Sequence, residues 1–165
     1  MSRNYLHIFN CLNAFLPSAP FFSFRVKFLR CLSVKIGENV RINTGTSFYW
    51  HNFEVGSDVW IGPECKFFST ADAKISIGSR CDLAPGVMLV TGSHEMGNEH
   101  RRAGTDRSDP ISVGDGCWIG ARALILGGAS IGSGCIIAAG AVVLPGNYPS
   151  NCLIAGVPGV IKRHL

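Results

Sequence analysis

The sequence predicts an all-β solenoid, a parallel β-helix of about five coils with one protruding loop and a short helical segment at its N-terminus. Three observations carry this expectation. Between Ile111 and Gly146, large aliphatic residues recur every six positions, at Val113, Ile119, Ile125, Ile131, Ile137 and Val143. Four residues after them come small ones, Cys117, Ala123, Ala129, Cys135 and Ala141. Glycine follows the aliphatic residue at Gly114, Gly120 and Gly132. Six residues is not a whole number of helical turns, so an α-helix cannot keep these side chains on one side. If three sixes make one flat-sided coil, equivalent positions stack from coil to coil. The aliphatics then fill the interior and the small residues fit the corners.

The chain opens differently. Residues 3–16 place Tyr5, Ile8, Phe9, Leu12 and Leu16 at helical spacing, and Pro17 ends the run. A second helix is expected over about 20–33, with Phe22, Val26, Leu29 and Leu32 opposite Arg25, Lys27 and Arg30. Residues 1–35 thus read as a basic amphipathic segment, which either caps the open end of the solenoid or touches an anionic membrane face. Asn10 and Asn13 interrupt the apolar stretch and no small-residue cleavage site follows, which argues against a signal peptide.

The sixes begin at Ile36 and run to Gly146. Ile36, Ile42 and Phe48 form a first set; a slip near Phe53 leads to Val55, Ile61 and Phe67, and another near Asp72 leads to Ile77, Leu83 and Leu89. Over 91–110 the repeat stops in a polar loop with two histidines, His94 and His100. Loops of this length in a compact repeat usually carry function or are disordered. Residues 147–165 leave the repeat and are expected to cover the last coil.

Composition narrows the function classes. Apolar residues make up 47% of the chain and charged residues 16%. The net charge of +4 is local: residues 1–35 carry five bases and no acid, and the rest carries ten bases against eleven acids. That distribution argues against a general nucleic-acid binder. Seven cysteines show no metal-ligand spacing, so no metal is expected; Cys65, Cys81, Cys117 and Cys135 sit at the small-residue phase and read as buried hydrophobes of a chain in a reducing, cytoplasmic compartment. No uninterrupted apolar run is long enough for a transmembrane helix.

The repeat resembles that of the hexapeptide-repeat acyltransferases, whose fold is a left-handed parallel β-helix. The segment Ala84-Pro85-Gly86 to Thr91-Gly92-Ser93-His94, the Trp118-Ile119-Gly120 after the loop and the closing Ala155-Gly156-Val157-Pro158 resemble the maltose and galactoside O-acetyltransferases in order. The short basic N-terminus is more similar to that of bacterial exopolysaccharide and lipopolysaccharide O-acetyltransferases. The resemblance implies a homotrimer that transfers acetyl from acetyl-CoA to a sugar hydroxyl, in surface polysaccharide synthesis at the inner membrane face. It implies His94 as general base. A neutral imidazole, with a reference pKa of about 6.5, accepts the hydroxyl proton as attack begins. It implies Asp72, Glu64 and Trp118 on the acceptor side, although Glu64 stands where the family has an asparagine and a carboxylate cannot donate as an amide does. The Ala121 amide would meet the acetyl carbonyl, and coenzyme A would run past Ala139 and Gly140 to Lys162 or Arg163. Other acyltransferases of this fold, acting on serine, an amino sugar or an antibiotic, remain open. A zinc carbonic anhydrase would need three converging histidines, and a non-catalytic scaffold would bind no coenzyme A.

Overall fold

The computed structural model describes residues 3–165, with side chains from Tyr5 onward; Met1 and Ser2, at the head of the expected basic segment, lie outside the described residues. Three parallel sheets form the sides of a left-handed triangular prism. The first face stacks Lys35–Ile36, Phe53–Val55, Ile75–Ile77, Ile111–Val113, Ala129–Ile131 and Gly146–Tyr148. The second stacks Arg41–Ile42, Trp60–Ile61, Asp82–Leu83, Trp118–Ile119, Ile136–Ile137 and Cys152–Ala155, and Val160–His164 closes it by pairing antiparallel to the last of these. The third stacks Ser47–Phe48, Lys66–Phe68, Met88–Val90, Leu124–Leu126 and Val142–Val143. Five coils are complete, and a sixth covers two faces only.

The six-residue phase sets which side chains point inward. Val113, Ile119, Ile125, Ile131, Ile137 and Val143 are all buried, and Cys117, Ala123, Ala129, Cys135 and Ala141 fill the space beside the corners. Phe48, Phe53 and Phe67 widen the lower coils, with Phe48 and Phe53 stacked at 4.5 Å between centroids. Two of the three corners are regular. Between the first and second faces the chain turns through Asn39, Asp58, Arg80, Gly116, Gly134 and Asn151, all at positive φ. Between the second and third it turns through Gly45, Glu64, Gly86, Arg122 and Gly140, again at positive φ. Glycine, asparagine and aspartate adopt this conformation most easily. The third corner absorbs every irregularity: the slips near Phe53 and Asp72 and the long insertion all lie between the third and first faces.

Two helices close the lower end, α1 over Arg3–Phe15 and α2 over Phe22–Cys31. Leu6, Phe9, Val26, Leu29 and Leu32 join the core of the first coil. Asn13 is buried beneath the third face, where its Nδ2 donates to Thr46 O at 2.6 Å. Asn10 pairs with the exposed edge of the lowest third-face strand: its Nδ2 donates to Phe48 O at 2.9 Å, and Phe48 N donates to its Oδ1 at 3.1 Å. The edge of a sheet carries unpaired amides and carbonyls, and these two asparagines satisfy part of it.

That demand splits the apolar residues at helical spacing: Phe9 packs into the core, whereas Tyr5, Ile8 and Leu12 are exposed, together with Phe15, because the asparagines and their neighbours take the inward face. One expectation is corrected: Arg25 is not on the outer face of α2 but fully buried. Its guanidinium donates to Leu16 O at 2.8 Å, Pro17 O at 3.0 Å and Ser18 O at 2.9 Å, and to the Asn13 side chain. It thereby satisfies carbonyls left open at the end of α1.

Candidate active site

The insertion at the irregular corner is an antiparallel hairpin of Gly92–Met96 and Ala103–Ser108. His94 pairs across it with Asp106, so both side chains emerge on the same side. His94 Nδ1 lies 3.1 Å from Asp106 Oδ1 and 3.3 Å from Gly104 O. Both neighbours accept hydrogen bonds. Nδ1 therefore carries the ring proton in the neutral imidazole, and Nε2 is left with its lone pair free. The imidazole is half-exposed. It lines a hollow of about 590 Å³ with Tyr49, Thr70, Asp72, Ser93, Asp106 and Arg107. Across the hairpin, Arg107 donates to Asp109 at 2.7 Å and to Glu95 at 3.3 Å; these carboxylates hold its guanidinium above its ordinary pKa.

His94 and Asp72 are thus brought together. Asp106 was not visible to sequence reasoning, because its place beside His94 follows from hairpin register in a segment without apolar alternation. His100 is exposed near the hairpin tip, 3.6 Å from Glu99, and does not line the hollow.

The other expected site residues lie elsewhere. Glu64, Ala121, Ala139 and Gly140 stand at the corner between the second and third faces, and Trp118 projects from the second face with 56% exposure. Lys162 and Arg163 lie exposed on the closing strand. The corner residues form a register in which Pro63, Pro85, Ala121 and Ala139 occupy equivalent places in successive coils, since the Gly86, Arg122 and Gly140 amides donate to Pro63, Pro85 and Ala121 carbonyls. Proline offers no amide there. Ala121 and Ala139 do, and among the described residues neither amide has a hydrogen-bond partner within the chain. Gly120 keeps this corner tight: a Cβ on it would lie 2.5 Å from the Ala139 nitrogen. From Ala121 the chain crosses the third face to Gly127 at the hairpin corner, which at about 3.3 Å per residue is roughly 20 Å. His94 and the two open amides therefore stand at opposite edges of the third face of one chain.

The family model for the bacterial transferase hexapeptide, six repeats long, matches residues 110–145. Nodulation protein L of Rhizobium leguminosarum bv. viciae is 33% identical over 82 residues, half of this chain and 42% of its own length. The galactoside O-acetyltransferase of Escherichia coli is 29% identical over 142 residues, 86% of this chain and 68% of the enzyme. A solved maltose O-acetyltransferase from Clostridium difficile superposes with a TM-score of 0.76 at 27% identity, over 99% of this chain and 86% of that one. The chain carries the hexapeptide repeat of the bacterial transferases and is similar in sequence and fold to the hexapeptide-repeat acyltransferases. It spans between 42% and 60% of the length of several curated relatives of this family.

Proposed function

We propose that the chain is an acetyl-CoA-dependent O-acetyltransferase acting on a sugar hydroxyl, in bacterial surface polysaccharide synthesis. The observation that carries it is His94, its Nδ1 held between two acceptors and its Nε2 open to a hollow shared with Asp72. The family relatives support the donor and acceptor classes: one galactoside acetyltransferase was solved with coenzyme A and another hexapeptide-repeat acetyltransferase with acetyl-CoA.

In this reading Nε2 takes the acceptor hydroxyl proton as its oxygen attacks the thioester carbonyl. Asp106 steadies the imidazolium that forms, as a carboxylate does for a histidine base. The carbonyl oxygen gains negative charge and receives a hydrogen bond from the free Ala121 amide of a second copy. The C–S bond then breaks, the thiolate leaves as coenzyme A and recovers the proton from His94, and the acetyl ester remains on the sugar. Asp72 accepts from acceptor hydroxyls, with Glu64 and Trp118 bounding the acceptor from the other copy. Coenzyme A lies along the second-face corner, past Ala139 and Gly140, with Lys162 or Arg163 meeting its phosphates. No metal is required by any of these steps.

Replacing His94 tests the reading. His94→Ala leaves the thermal midpoint and assembly unchanged, because the side chain lies on the hairpin and outside the core. Turnover falls by about 10²–10⁴, the usual contribution of a positioned base, while coenzyme A affinity persists. Turnover within a few-fold of native, on an intact fold, would overturn the assignment.

A further inference from the structure

We propose that the lower half of the second face is a binding track for an extended saccharide chain, contacted by Trp60 and Asp82. This rests on the acetyl-transfer reading above and defines the acceptor as one unit of a glycan rather than a free monosaccharide.

The track is visible in the strand register. Outward side chains of the second face form one column: Arg41 pairs with Trp60, Trp60 with Asp82, Asp82 with Trp118, Trp118 with Ile136, Ile136 with Leu153, and Leu153 with Arg163. Trp60 is 37% exposed and Trp118 56%. The first face instead presents Lys35, Glu54, Ser76, Ser112 and Ser130, and the third presents Ser47, Lys66 and Phe68 below a run of aliphatic residues. Indoles alternating with charge are a property of the second face alone among the three.

That alternation fits a sugar. The face of an indole is electronegative and large, and it stacks on the weakly positive C–H face of a pyranose. The ring's hydroxyls then project at its rim, where a carboxylate accepts from them and a guanidinium donates to them. Asp82 stands between the two indoles, and among the described residues its carboxylate forms no ion pair. An apolar partner surface would have to bury that charge unpaired, which is costly; hydroxyls satisfy it. Trp60 is also braced, its ring 6.0 Å from that of Phe22 on α2, so little freedom is lost on binding.

The spacing agrees. Neighbouring rungs lie about 4.8 Å apart, close to the length of one pyranose in an extended chain. The acceptor unit at Trp118 would continue down over Asp82 and Trp60 to Arg41. The same column rises from Trp118 to Arg163, where the donor's phosphates are placed. Donor and glycan would then approach along one face from opposite ends and meet at Trp118.

The test presents the native full-length protein and three variants to an array of neutral and acidic pyranose mono- to hexasaccharides. Retention should rise with chain length. Trp60→Ala should weaken the longer chains by about tenfold or more, the loss typical of an aromatic anchor. Trp60→Phe should recover most of this, and Asp82→Asn, an exposed isosteric change, should weaken them several-fold. Retention of no glycan, retention independent of length, or equal retention by Asp82→Asn and by a natively melting Trp60→Ala would each overturn the track. Acetyl transfer to short galactosides is measured alongside. Transfer without any length effect removes the track and keeps the enzyme. Length-dependent binding without transfer to any bound glycan removes the enzyme reading and keeps the track.

Discussion

Cys81, Cys117 and Cys135 stack in one interior column, and each thiol donates to a corner carbonyl of the next coil: Gly114, Gly132 and Pro149, all at 3.2 Å. Cysteine is small enough for this place and carries a weak donor, whereas alanine would leave those carbonyls without it. Burial pushes the Cys65 thiol up to about 11, and the Cys81 partner together with burial pushes Cys117 up as well. The Cys117 hydrogen bond moves Cys81 the other way, downward. Thiolate is the reactive form, but all four thiols are buried, and it is burial that keeps reagents from them in the native fold. Cys11 and Cys31 are exposed. A thiol reagent at neutral pH should therefore modify two of the seven cysteines quickly, and all seven only after denaturation. Rapid modification of a third would contradict the packing. The six-residue phase made the corner cysteines legible in the sequence, because position alone decides their burial. The Asp106 partner of His94 was not legible, since pairing across a polar hairpin leaves no periodic trace.

The helices show the limit of helical spacing. It finds α1 and α2 but does not say which residues of α1 face inward, because the open edge of the third sheet selects Asn10 and Asn13 beside Phe9. The exposed Tyr5, Ile8, Leu12 and Phe15, the last 90% exposed, form a stripe at i, i+3, i+7 and i+10. Of the four bases in residues 5–35, Arg25 is buried and Arg30 bonds Glu38 and the Ile36 and Gly37 carbonyls, which leaves Lys27 and Lys35. We propose that this stripe dips into an anionic bilayer, with those two charges each adding about 1 kcal/mol near the surface. The full chain should float with phosphatidylglycerol vesicles at low salt and much less at high salt. Ile8→Asp with Phe15→Asp should abolish flotation, because neither side chain supports the core. Equal recovery on neutral and anionic vesicles would leave the helices as a cap alone.

Across the whole molecule, the two proposed half-sites stand on either side of one largely apolar face. His94 and Asp72 stand at one edge of the third face, and Ala121 and Ala139 at the other. Between them the outward residues are Lys66, Phe68, Met88, Val90, Leu124, Leu126 and Val142, apolar but for Lys66 and all half-buried in the single chain. An apolar face of this extent usually marks an interface. If copies pack on it around a threefold axis, the hairpin edge of one chain comes beside the amide edge of the next, and each contact completes one site. Cyclic symmetry makes all three contacts equivalent. Leu124→Arg places an unpaired charge in the middle of that contact and nothing in the core, since its side chain points outward. Light scattering at micromolar concentration should give a trimer for the native chain and a monomer for the variant, with the β-sheet signal retained. Acetyl transfer should disappear with the trimer even though His94, Asp106 and Ala121 are all intact. A native monomer, or a monomeric variant that keeps its turnover, would show that one chain holds a complete site.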